Sequence, residues 1–451
     1  MTGVVVRTQG FRLYMAQTKT ITQAVERLGY RVTVGDVAAE AGIPLMEAQQ
    51  GVLTLASEVQ AHLQVAESGE VAYVFPKNIQ AVLWSKSWRL RWQAGWEKVW
   101  RVLAYLIRIS FGILLILSLV LIVVAITVLA IAASSAGQQG DNRRRGGGGG
   151  GMIFMPRLWI GPSPFRVFQP PSRRRPLPQN RTQSEMNFLE AVFSFLFGDG
   201  NPNADLDDRR WQSVAQVIQA NGGVVVAEQI TPFLGDLGKG WDRDLEDFMV
   251  PVLSRFNGLP QVSPQGGIVY QFPELQVTAA ARRTLTPPRF LQELPRRFSQ
   301  ATSGQIMAAI GLGGANLVGA LVLGSMLQDQ ALVVQLGGIV ALANSLYWVL
   351  LGYGAAFLAL PLVRYFWVQG QNQRIAARNA KREQRADELN QLTADQREKL
   401  AFAQTLTGQT VLGTDNLAYT TEVDLTEQEA AQKDKIDAEW QRLLDQRGGG
   451  K

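Results

Sequence analysis

The stretch Ile109–Ala133, ISFGILLILSLVLIVVAITVLAIAA, contains no charge and no proline. As a helix rising 1.5 Å per residue it measures about 37 Å, enough to cross a hydrocarbon core about 30 Å thick with some tilt. It starts too far from the N-terminus to read as a signal peptide. Ahead of it, Trp84, Trp88, Trp92, Trp96 and Trp100 recur at every fourth residue, interleaved with Lys86, Arg89, Arg91, Lys98 and Arg101. A four-residue repeat gains about 40° per step on a helix, so the indoles form a slowly winding stripe. Indole rings favour the headgroup boundary and basic side chains favour lipid phosphate, which makes these residues the predicted membrane-interface set. Burial of the stripe in protein core is the alternative. The reading is an integral membrane protein with the lipid bilayer as its first partner.

Composition narrows the chemistry. The chain has 451 residues, a net charge of +6, no cysteine and one histidine, His62. Its mean hydropathy of +0.01 is high for a soluble protein, with the apolar residues gathered in blocks. Without cysteine there are no thiolate metal sites, cysteine-ligated clusters, disulfides or cysteine nucleophiles. A Ser-His-Asp triad would have to use His62, which sits in the alternating run Ala61–Val65 and reads as a strand residue. No enzyme, cofactor or metal is expected.

Residues 1–80 read as a helix-and-wing domain. Ile21–Leu28 is a short helix closed by Gly29, Tyr30–Val32 is extended, and Thr33 can cap a helix over Val34–Ala41. Gly42-Ile43-Pro44 turns into a third helix, Leu45–Glu58. Gln60–Val65 and Glu70–Phe75 then alternate around Ser68-Gly69 as a hairpin. This is the winged helix-turn-helix order. It returns in 187–280: helix Asp208–Ala220, strand Val224–Val226, helices Glu228–Leu234 and Asp242–Phe256, and a wing of Leu259–Ser263 and Gly267–Phe272. The wing tips align, with Tyr73, Phe75 and Pro76 matching Tyr270, Phe272 and Pro273. Shared element order with matched tips reads as an internal duplication.

Between the repeats, 81–101 is the tryptophan-rich juxtamembrane helix and 102–133 the first transmembrane helix. A Gly/Pro/Arg linker covers 134–186, and Asn187–Phe197 is a phenylalanine-rich helix too short to span. Two further transmembrane helices, 305–327 and 331–367, are separated by Gln328-Asp329-Gln330 and predict a tight hairpin. Gly311, Ala315 and Gly319 line one helix at intervals of four, and Gly337, Ala341 and Ser345 the other. Small residues let membrane helices approach closely, so these faces are predicted to touch. Asn316, Gln335 and Asn344 are read as hydrogen-bond partners between helices, with a transport path as the alternative. A polar helical tail occupies 371–451. The basic flanks place 134–304 and the C-terminus in the cytoplasm. A full crossing by 109–133 then leaves the first repeat on the opposite side from the second; the alternative is that the duplicated domains pack together, which requires 102–133 to re-enter or lie shallow.

A winged helix suggests DNA, but the third helices argue otherwise. Leu45–Glu58 has Glu47 and Glu58 and no basic residue, and Asp242–Phe256 has four acids against Arg243 and Arg255. Phosphate attraction dominates nucleic-acid affinity, so protein docking is favoured over nucleic acid. Asp199–Asp207 starts like a calcium loop, yet Ala204 replaces the required glycine and Arg210 the bidentate glutamate, so calcium is not expected.

Asn187–Asn203, NFLEAVFSFLFGDGNPN, resembles the signature of an uncharacterised membrane-protein family of cyanobacteria and chloroplasts. Asn221-Gly222-Gly223-Val224-Val225 and Glu439-Trp440 are similar too, so the resemblance covers residues 20–446. Some plant members carry the label iron–sulfur cluster biosynthesis family protein. This chain departs from that label, having no cysteine to donate sulfur or hold a cluster. The resemblance implies a thylakoid or cytoplasmic (inner) membrane of a photosynthetic bacterium and no catalytic residues.

The expected architecture is a mainly α membrane protein with two winged-helix-like α+β domains, three transmembrane helices and a helical tail. The expected work is scaffolding or assembly of a membrane protein complex. The alternatives are a membrane-tethered DNA-binding regulator and a small transporter or channel subunit.

Overall fold

The computed structural model describes residues 18–136, 186–279, 286–430 and parts of 431–441, except 87, 236, 238–244 and 414–416. Helix α1 at 18–27 leads into β1 (Arg31–Val32), α2 (Val34–Ala41), α3 (Leu45–Val59), β2 (His62–Ala66) and β3 (Val71–Val74). Next come α4 (Ile79–Lys86), the 49-residue α5 (Trp88–Ala136) and α6 (Phe188–Phe197). A second series runs α7 (Leu206–Ala220), β4 (Val224–Val225), α8 (Ala227–Ile230), α9 (Val250–Phe256), β5 (Leu259–Val262) and β6 (Ile268–Gln271). Then follow α10 (Pro273–Gln276), β7 (Val277–Thr278), α11 (Ser303–Met326), α12 (Gln330–Leu336), α13 (Gly338–Glu388), α14 (Ala394–Leu406), β8 (Thr410–Val411) and β9 (Leu417–Thr420). The chain is mainly helical and divides into two compact units, one of residues 1–94, 202–295 and 373–451, the other of 95–201 and 296–372.

In the first unit the two series repeat one another down to the hydrogen-bond register. β3 lies between β1 and β2, and β6 between β4 and β5, every pair antiparallel. Tyr73 stands opposite Val32 and Leu63; Tyr270 stands opposite Val225 and Pro260. Each hairpin is closed by the same bond, Ala66 N–H to Glu70 O at 2.9 Å and Ser263 N–H to Gly267 O at 2.8 Å. The turn glycines Gly69 and Gly266 share a φ of +86°, a conformation that penalises any side chain.

The third helix of the second series is shorter than the predicted Asp242–Phe256. A 3-10 turn over Asp247–Met249 leads into α9, whose first turn holds Pro251; its missing N–H is tolerated there and nowhere deeper in a helix. Residues 242–244 lie outside the described ones.

The repeats pack on each other. Ala39 of α2 joins the core formed by Val214, Ile218, Met249 and Phe256 of the second repeat. This overturns the expectation that the first repeat is parted from its twin by the bilayer. A seam of buried side chains outweighs the charge bias that suggested separation.

The second unit holds α6 and most of the three helices that, among the described residues, are long and apolar enough to cross a membrane: Val102–Ser134, Ser303–Met326 and Gly338–Glu388, the last continuing into the first unit from residue 373. The phenylalanine-rich α6 therefore groups with these helices, not with the repeat that follows it. Ser118 meets Asn316, and Ile122 lies against Gly319, so α5 and α11 run parallel; α13 returns antiparallel, with Gly354 against Asn316 and Tyr347 against Gly324. The hairpin is not tight. Asp329 caps the short α12, and Gly337 and Gly338, both at positive φ, break the chain before α13.

The predicted small-residue faces do not make the helix contact. Gly311, Ala315, Ala341 and Ser345 are exposed, Gly337 lies outside the helix, and Gly319 meets α5. The contact uses the adjacent face, Ala309, Gly313, Asn316, Ala320 and Leu323, where a Cβ on Gly313 would lie 2.5 Å from Phe357. Residues four apart drift around a helix, so spacing alone identifies a stripe and not the direction it faces.

Two outcomes check this arrangement. Single cysteines replacing the exposed Ser68 and Gln265 are expected to react with an impermeant thiol reagent from the same side of sealed vesicles. Gly313→Leu should cost about 1–3 kcal/mol of stability in detergent, whereas Ala315→Leu should stay within about 0.5 kcal/mol; thermal unfolding separates them.

Candidate functional site

The repeat unit is the part with exposed, chemically varied surface, and its seam decides which surface is left. Thr33 and Asp36 form a capping box at the start of α2. The same Asp36 carboxylate accepts the Ala279 N–H at 2.9 Å, and Thr33 Oγ1 donates to Val277 O. Arg31 donates to the carbonyls of Ala279 and Leu412, and burial lowers its pKa against the opposing pull of Asp36 and Glu422. Arg255 donates to the Gly42 carbonyl at 2.6 Å and stacks 4.5 Å above the Trp211 ring. Burial lowers its pKa also, and Asp207, Glu47 and Asp208 counteract that. The basic residue of α9 is thus committed to the seam.

The predicted wing residues turn out to be core. Tyr73, Phe75, Tyr270 and Phe272 are buried, and Pro76 and Pro273 half-buried, Pro273 opening α10. The large exposed apolar side chains of the first repeat lie on α3. Met46 is 66% exposed and Leu53 47%, alongside exposed Glu47, Gln49, Gln50 and Ser57. That face has no positive charge. His62 starts β2, and its Nδ1 lies 3.2 Å from the Thr421 carbonyl. Of the membrane-interface set, Trp100 is exposed; the side chains of Trp84, Trp88, Trp92, Trp96, Lys86, Arg89, Arg91 and Lys98 lie outside the described residues.

Two ionic clusters leave no mark in the sequence pattern, where the tail reads as a plain polar helix. Glu293 and Arg382 are both buried, and the carboxylate takes Arg382 at 2.8 Å and Arg378 at 2.8 and 2.5 Å. The Arg378 hydrogen bond lowers the Glu293 pKa; burial opposes it and Arg382 assists it. Lys399 of α14 reaches Glu228 at 3.4 Å and Glu246 at 3.1 Å, while the Tyr270 hydroxyl donates to Glu246 at 2.8 Å. Burial pulls the Lys399 ammonium down, but the two carboxylates outweigh it and leave its pKa raised. Burial and Glu246 push the Tyr270 hydroxyl up. A cavity of about 210 Å³ adjoins this cluster, with Phe248, Arg385, Glu388 and Gln396 on its wall. Lys399 bridges two carboxylates as a tether of the tail to the second repeat.

In the second unit, Phe193 and Phe197 of α6 pack on Phe111, and Val192 and Phe195 join a core with Leu115, Ala309 and Phe357. Arg364 donates to the Ser194 and Phe195 carbonyls at the end of α6, over the Phe298 ring. Asp199 accepts from Ser194 Oγ at 2.7 Å and from the Gln300 N–H at 2.8 Å. The signature NFLEAVFSFLFGDG is therefore a packing and capping element. Asn203 and Asp205, the later positions of the calcium-like loop, bond within the first unit, to Leu294 and Arg209. Asn316 donates to Ser118, as a polar residue between helices was predicted to do.

An Arabidopsis thaliana protein described as uncharacterised and chloroplastic is 34% identical over 424 residues, covering 91% of this chain and 80% of the relative. The chain belongs to that protein's family. Coverage of that extent necessarily draws on both units. No family model matches the chain, and no solved structure does.

The Glu293 cluster predicts a pH dependence. A carboxylate held below its unfolded value of about 4.3 stabilises the fold above that pH and loses the contribution as pH falls through its folded value. Glu293→Gln, which strands buried Arg382, is expected to cost about 3 kcal/mol near neutral pH. Its thermal stability should also fall less than the parent's on acidification below about pH 4.

Proposed function

We propose that this family member is a membrane-anchored docking scaffold or assembly factor, acting without catalysis in the thylakoid or inner membrane of a photosynthetic cell. The two repeats are winged-helix-like domains fused back to back, and the three apolar helices are the anchor. The observation that carries the reading is the open face of α3. It offers Met46, Leu53 and neutral amides with no basic residue, a chemistry suited to protein and unsuited to phosphate. In the second repeat, Arg255 is held by Gly42 and Trp211, which commits one of the two basic residues that a nucleic-acid reading would use. The relative's description as chloroplastic supports the photosynthetic setting.

The test is capture of the tagged chain with its crosslinked partners from native membranes. The wild-type chain and a Met46→Glu/Leu53→Glu variant are compared. Both side chains are exposed, so stability should stay within about 0.5 kcal/mol of the parent. Loss of one membrane complex from the variant's capture, with the rest unchanged, is the expected result. Tight binding of the purified chain to duplex DNA at low salt, falling steeply as salt rises, would instead establish a tethered DNA-binding regulator.

A further inference from the structure

The repeats share a register but differ at their outer edges. In the first repeat, Ala66 N–H bonds to Glu70, so by alternation Leu63 and Val65 turn their main-chain groups away from β3. The matching bond at Ser263 gives β5 the same phase, which turns Pro260 and Val262 outward. Proline has no N–H, so the outer edge of β5 lacks a donor where β2 has one. β2 uses its donor: Leu63 N–H bonds to Thr421 Oγ1 at 2.8 Å and Leu63 O accepts from Thr421 N–H at 3.0 Å. β9 of the tail continues the pairing, with Val65 opposite Tyr419 and Gln64 opposite Thr420.

The seat is built and the occupant is shallow. Gln64 is buried; its Oε1 accepts from Arg31 Nε at 2.9 Å, which aims Nε2 outward to donate to Glu422 at 3.1 Å. By contrast, no side chain of β9 is buried. Its hydrogen-bonded hold on β2 is main-chain pairing, the Thr421 hydroxyl and the Glu422 carboxylate, beside the half-buried Leu417 and Thr420; an extended segment with a hydroxyl residue followed by an acid can supply these hydrogen bonds.

We infer that the outer edge of β2 is a strand-accepting docking site whose resident is the chain's own β9. An extended, Thr-acidic segment of a partner protein enters it by displacing that strand. This deepens the docking reading and rests on it, and it adds a second binding surface with its own specificity.

The test uses the detergent-solubilised full chain, a chain ending after Gly413, and a fluorescent synthetic peptide of residues 417–424. The shortened chain should bind the peptide about tenfold or more tighter than the full chain, because the tethered strand competes at high effective concentration. Binding should be lost with Leu63→Pro in the shortened chain and weakened when the peptide carries Lys in place of Glu422. Equal binding by both chains, or binding that survives Leu63→Pro, overturns the proposal. If the shortened chain does not fold, hydrogen exchange of the full chain decides. The Leu63 and Thr421 amides should exchange about tenfold or more faster than the Ala66 amide, and equal protection overturns the proposal. A null result here leaves the Met46/Leu53 capture experiment standing, and failure of that capture leaves the peptide measurement readable.

Discussion

The Asp36 carboxylate lies buried at the seam between the repeats, where it caps α2 and accepts the Ala279 N–H. A buried carboxylate is stable only when its oxygens are satisfied, so this one ties α2 to the chain leaving the second repeat. Arg31 fastens the same place to Ala279 and Leu412, which brings β7 and β8 into a parallel pair. From this seam follow the joint core through Ala39, the engagement of Arg255 with Gly42, and the course of the tail across both repeats. The outward face of α3 is what the seam leaves free.

Duplication usually implies equivalent surfaces, and here the tail breaks the equivalence. α14 packs Leu400 and Ala403 against Val224, Val226 and Val269 of the second repeat, and Lys399 adds its ionic tether. β9 instead extends the sheet of the first repeat. Pro260 removes a donor on the second sheet's edge, so strand addition is chemically directed to the first. One fold used twice thus presents a helix-covered face in one copy and a strand-accepting edge in the other.

In the bundle, the polar pair Ser118–Asn316 sets the parallel relation of α5 and α11. A hydrogen bond between helices in an apolar surrounding contributes about 0.6–2 kcal/mol. It also favours this register, since another alignment takes the Ser118 partner away from the buried Asn316 amide N–H. Glycines 313, 324 and 354 then admit Phe357, Tyr347 and the α11 backbone at close range.

The sequence by itself determined the periodic features. An uncharged run of 25 residues, the alternation of the two hairpins and the matched Tyr-x-Phe-Pro tips each follow from local spacing, and the described elements agree with them closely. Local spacing also exposed Asn316 as a polar residue inside an apolar block, although its partner Ser118 lies 198 positions away. Tertiary structure decided the rest. Which stripe of α11 faces inward depends on Phe357 and Ile122, residues distant in sequence. Grouping α6 with the apolar helices depends on Phe111 and Arg364. The two repeats share one unit because Asp36 and Arg255 find backbone partners more than 200 residues away. Such partners leave no periodic trace, because a hydrogen bond to a distant main chain constrains the geometry of that backbone group and not its residue type.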